Sequence, residues 1–123
     1  MTQQTLLYLL EEKLATLNTI KFAYIFGSYA RGTQKEKSDV DIAVFLEQNN
    51  LDAQLQIRYE LSKFLKKDVD LVLLNDVKNL FLLADIFRDK IVLKDSDERV
   101  DFELKKEHDI LDYKEFKRAL DAA

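Results

Sequence analysis

The chain has 123 residues, 47% of them hydrophobic, with no cysteine or proline and a net charge of −4 at a pI near 5.0. That is enough for one compact domain with a core, and it rules out disulfide frameworks and cysteine zinc sites. It also argues against extensive phosphate-backbone binding, which needs a basic face. The opening MTQQTLLYLLEEKL mixes Glu and Lys into its apolar stretch and has no small-residue cleavage site, so it does not read as a signal peptide. No apolar run approaches the roughly 18 residues of a membrane span, and the cytoplasm is the expected location.

Leu6, Leu10, Leu14 and Leu17 recur at near-helical spacing and predict an amphipathic helix over about 5–17. Residues 20–26 (IKFAYIF) are rich in β-branched and aromatic side chains and predict a strand. It runs directly into Gly27-Ser28, a short helical turn ending at Gly32, and a polar stretch. A second strand is expected over 39–46 (DVDIAVFL). Its period of two sends Asp39, Asp41, Ala43 and Phe45 to one face and Val40, Ile42 and Val44 to the other.

Asp52 is placed to cap a helix carrying Leu55, Ile57, Leu61, Phe64 and Leu65. A third strand follows over roughly 69–74, then a helix marked by Leu80, Leu83, Ala84 and Phe87, and a short edge strand at 91–93. The charged tail from about residue 96 predicts a helix with a sparse apolar seam of Val100, Leu104 and Leu111, and Tyr113, Phe116 and Leu120 beyond. Helices alternating with strands imply an α/β (or α+β) domain over 1–123, with one small mixed sheet of three to four strands covered by helices.

The chemistry is concentrated in one segment. Gly27-Ser28 is followed, after ten residues, by Asp39-Val40-Asp41, and the chain's only two glycines, Gly27 and Gly32, both lie here. Four fixed residues at fixed offsets arise by chance in roughly one chain of this size per thousand. A turn without a side chain lets a phosphate approach the backbone, where a starting helix offers free N–H groups, and Ser28 adds a hydroxyl. Gly-Ser alone commonly just ends a strand and caps a helix. Asp-x-Asp alone is commonly a solvated strand edge.

Together the two elements suit a triphosphate with Mg2+, which takes one or two protein carboxylates and completes its octahedron with phosphate oxygens and water. Two such ions about 3.5–4 Å apart can activate an attacking oxygen and stabilise a leaving pyrophosphate. Asp70, flanked by strand-forming residues, is the favoured third carboxylate on grounds of burial cost. Asp68, on the same face but at the strand entrance, is the alternative. Arg31 is the favoured phosphate cation, ahead of Lys35 and Lys37, which suit a solvated loop equally well. His108, in the charged tail, reads as a surface residue.

GSYARGTQKEKSDVDIAVF resembles the Gly-Ser-x10-Asp-x-Asp signature of the minimal nucleotidyltransferases, a branch of the DNA polymerase beta superfamily. The tail, DERVDFELKKEHDILDYKEF, is similar to that of the MntA-type antitoxins paired with HEPN-domain ribonuclease toxins. The resemblance implies a nucleotidyltransferase fold, with Gly27 and Ser28 holding the triphosphate of ATP. It implies two Mg2+ ions at Asp39, Asp41 and Asp70, and transfer of AMP to a tyrosine hydroxyl of a HEPN toxin. The alternatives are an antitoxin that acts sterically without catalysis, and an enzyme that modifies a small hydroxylated molecule such as an aminoglycoside.

Overall fold

Thr2 Oγ1 accepts the Thr5 N–H and starts α1 (Gln3–Ala15), which buries Leu6, Leu10 and Leu14 along one face. The structure is a computed structural model and describes residues 2–122. Helix α1 ends before Leu17, the last member of the predicted leucine series, because the chain turns at the Thr16 cap to feed the first strand. The remaining elements are β1 (Ile20–Phe26), α2 (Gly27–Arg31), β2 (Val40–Leu46), α3 (Leu51–Leu65), β3 (Val69–Leu73), α4 (Leu80–Asp89), β4 (Ile91–Lys94) and α5 (Asp97–Ala122).

The four strands form one mixed sheet in the order β3-β2-β1-β4. Strand β1 runs antiparallel to both β2 and β4, while β2 and β3 are parallel. A parallel pair needs a crossover, and α3 supplies it. The architecture is the mixed α/β sheet that the alternation of elements predicts.

Alternation in the strands divides the core into two layers. Ala23, Ile25, Val40, Ile42 and Val44 face α1 and α3, packing with Leu6, Leu10, Ile57 and Leu61. Phe22, Tyr24, Phe26, Ala43 and Leu74 face α4 and α5, packing with Leu83, Ile86 and Ile110. Each fully buried leucine or isoleucine contributes about 1.5–3 kcal/mol, so the sheet is anchored on both sides.

Two local expectations are corrected. Helix α3 begins one residue before Asp52: Asn50 Oδ1 accepts the Ala53 N–H at 2.8 Å and is the cap. Asp52 therefore sits in the first turn, where its charge complements the helix dipole. In α5, Val100, Leu104, Leu111, Phe116 and Leu120 all lie on the exposed side. The packed stripe instead runs through Phe102, Glu103 and Ile110, with Tyr113 edge-on to Phe81 at 5.4 Å.

Glu103 is the polar clasp of that stripe. It accepts a 3.0 Å hydrogen bond from Tyr24 Oη and is paired with Lys90 at 2.8 Å and Arg99 at 2.8 Å. Burial first, and the Glu103 carboxylate second, push the Tyr24 hydroxyl well above the ordinary phenol range. Tyr24→Phe removes one bond while Glu103 keeps its two cations, so the expected loss is about 1 kcal/mol, read as a lower urea midpoint with an unchanged slope.

Candidate functional site

The ends of three adjacent strands build the site. Strand register places Phe26 of β1 opposite Asp41 of β2, and Asp41 opposite Asp70 of β3. Neighbouring strands lie about 4.8 Å apart, so the end of β1, Asp41 and Asp70 form a continuous row. Gly27 follows Phe26 directly, and Asp39 precedes β2.

Gly27 has φ +71°, a left-handed conformation that a residue with a Cβ adopts only at a cost. A Cβ there would overlap Asp41 Oδ2 and lie 3.0 Å from Asp41 Cγ. The missing side chain thus keeps a carboxylate tight against the turn. Helix α2 has only five residues, too short for much of a macrodipole. Its contribution is the backbone N–H groups of its first turn, beside the half-buried Ser28. Helix α1 braces the far end of that turn: Gln3 Nε2 donates to Tyr29 O at 2.8 Å and to Ala30 O at 3.2 Å.

Asp41 is the electrostatic centre. Burial pushes its carboxyl above the usual range, the Asp70 and Asp39 carboxylates push it further, and Arg31 pulls it back. Asp70 is exposed, so the burial cost that favoured it over Asp68 in the sequence does not operate. Register favours it instead, since it lies beside Asp41. Asp68 lies one step outside the sheet, where its carbonyl accepts the Val40 N–H at 3.0 Å.

Arg31 is held at the last position of α2 by Asp89 of α4, with Nη1 2.5 Å from Oδ2. Asp89 also binds Arg88 at 3.1 Å, and Arg88 first and Arg31 second hold its carboxyl below the usual range. Sequence spacing offers no sign of this tether, whose partners are 58 residues apart. Lys35 contributes its backbone N–H to Ser38 Oγ at 2.8 Å, shaping the loop before β2. Lys37 lines a cavity of about 650 Å³ that Asp39 and Asp68 also line. His108 is exposed on α5, 3.3 Å from Asp112 and away from the site.

The donor set of Asp39, Asp41 and Asp70 is all oxygen and suits a hard cation such as Mg2+. Among the described residues, no three acidic, imidazole or thiol side chains converge closely enough to hold an ion by themselves. The carboxylates therefore line an open edge rather than a closed cage, leaving coordination positions to phosphate and water.

The sequence model of the family "Polymerase beta, Nucleotidyltransferase" matches residues 9–99. The chain is 47% identical over 62 residues to the "Putative protein adenylyltransferase MJ0435" of Methanocaldococcus jannaschii, covering 50% of this chain and 67% of that protein. It is 39% identical over 74 residues to the "Protein adenylyltransferase MntA" of Shewanella oneidensis, covering 58% of this chain and half of that one. Among solved structures, one described as a toxin-antitoxin with AMP-PNP superimposes with a TM-score of 0.71 at 29% identity, covering 91% of this chain and 93% of that chain. The family match runs from within α1 to the first turn of α5 and contains the signature turn and all three candidate carboxylates, and on that ground the chain belongs to the polymerase beta nucleotidyltransferase family.

Proposed function

We propose that this chain is an antitoxin nucleotidyltransferase that moves AMP from ATP to a tyrosine hydroxyl of a partner HEPN ribonuclease toxin. The observation that carries the proposal is the row of Gly27, Asp41 and Asp70 across three strand ends, with Ser28 and Arg31 on the adjoining turn. The relatives named as protein adenylyltransferases support the same chemistry. The toxin-antitoxin structure with AMP-PNP supports both ATP and a protein partner.

The backbone at Gly27 and the Ser28 hydroxyl hold the β- and γ-phosphates, and Arg31 neutralises their charge from a position fixed by Asp89. Asp39, Asp41 and Asp70 would hold two Mg2+ ions, whose chemistry is to neutralise charge building on the α-phosphate and its leaving oxygen. The tyrosine oxygen bonds to the α-phosphorus, the bond to the bridging oxygen breaks, and pyrophosphate leaves. Asp70, exposed at the edge, accepts the tyrosine proton. The exposed apolar residues of α5, including Leu104, Leu111 and Phe116, offer a surface for the partner that brings the acceptor. The whole chain 1–123 acts as one domain in the cytoplasm.

Incubation with the partner, Mg2+ and ATP labelled at either the α- or γ-phosphate tests this. Label on the partner from α-labelled ATP alone is expected. Label from the γ position, or only on a soluble small molecule, refutes it. Arg31→Ala should raise the KM for ATP about tenfold with a smaller change in kcat, checked by steady-state kinetics.

A further inference from the structure

The cavity of about 650 Å³ on the α3 side of Asp39 shares that carboxylate with the transfer site, and the rest of its lining has no part in the transfer chemistry. Lys37 lines it from the loop before β2, and Lys63, Lys66 and Lys67 line it from the end of α3, together with the acidic residues Glu36, Asp39 and Asp68. Among the described residues, none of these four lysines lies within 4.0 Å of a carboxylate. Lys67 Nζ instead donates to Glu36 O at 3.1 Å, and Lys63 Nζ sits 5.8 Å from the centre of the Tyr59 ring.

Cations at the end of a helix often do no more than complement its dipole. Two observations go beyond that. Lys37 is not on α3, so lysines from two separate elements line one space. Lys66 is also the only non-glycine residue with positive φ among those described, at +55° on the helix C-cap. Glycine is the favoured residue there, and a long cation occupies a position that glycine would fill with less strain.

We infer that this cavity is a second subsite, taking a nucleoside monophosphate whose phosphate the lysines hold and whose base lies against Tyr59. Its size suits a small organic ligand, in the range of roughly 300–1,000 Å³, and far exceeds a bare phosphate. Four ammonium groups do not suit the neutral nucleoside end of the ATP being cleaved. They suit a phosphate, and the exposed Tyr59 ring supplies a stacking face. The proposal deepens the transfer reading and rests on it for the role of the bound nucleotide, though not for the binding itself.

Titrating the full chain with methylanthraniloyl-AMP, without Mg2+, tests it by fluorescence. The double variant Lys37→Ala/Lys66→Gly should bind the probe about tenfold more weakly or worse, while its melting temperature does not fall. Affinity in Asp41→Asn should not drop, because Asp41 does not line the cavity. Unchanged binding by the lysine variant, or equal loss in Asp41→Asn, overturns the inference. Displacement by AMP alone assigns the site to free nucleotide, displacement by AMP linked through its phosphate to a tyrosine peptide assigns it to the acceptor's product, and displacement by neither overturns it. If labelled AMP is never transferred but the probe binds as described, the transfer reading falls and the subsite stands.

Discussion

Asp41→Asn should abolish nucleotidyl transfer, by about a thousandfold or more, and at the same time raise the melting temperature in EDTA by a few degrees. The activity loss follows from its place between Asp39 and Asp70, where it is the half-buried carboxylate of the set. The gain in stability follows from the direction of its proton equilibrium. Burial and the two neighbouring carboxylates raise the Asp41 pKa in the folded protein, so the folded state binds that proton more tightly than the unfolded chain does. Ionisation therefore costs folding stability at neutral pH, and the penalty fades as the pH falls through the raised pKa. Asn removes the charge and keeps the shape. Scanning calorimetry in EDTA should show wild type and variant converging in acid and separating toward neutrality, and a variant less stable than wild type at pH 7 contradicts the electrostatic account.

Gly27→Ala should lose transfer activity by about a hundredfold or more and destabilise the fold by about 2 kcal/mol. Two penalties act together. The backbone at φ +71° disfavours any Cβ, and that Cβ would collide with the Asp41 carboxylate. Gly32→Ala is the internal control. Gly32 has nearly the same φ, +75°, but the nearest atom to its added Cβ is Gln3 Oε1 at 3.7 Å. It should show the backbone penalty of about 1 kcal/mol and retain near-normal transfer. Urea denaturation and initial rates on the two variants separate conformational strain from loss of the site, and equal loss of activity in both would remove the steric role assigned to Gly27.

The strand-end geometry was legible in the sequence because alternation in β1 and β2 has one solution for which side chains share a face. Asp39-Val40-Asp41 could be placed on that basis, and Val40, Ile42 and Val44 do face the α1/α3 layer. Burial cost does not single out Asp70, since the residue is exposed. Its merit is the register of a parallel pair, which depends on the crossover through α3 and not on local pattern. The packed face of α5 is hidden from the sequence for a related reason. Its inward stripe contains Glu103, which is paired to Tyr24, Lys90 and Arg99, so a search for apolar periodicity finds the outward Val100, Leu104 and Leu111 instead. The Arg31–Asp89 tether and the lysine cavity join residues from distant elements, and no window of sequence contains them.

The decisive measurement of the proposed transfer of AMP by the carboxylates at the strand ends is peptide mass mapping of the HEPN partner after incubation with ATP, Mg2+ and this protein. One or more adenylyl groups on tyrosine are expected with the wild type and none with Asp41→Asn. A partner that is silenced yet unmodified, or fully modified by Asp41→Asn, would contradict it.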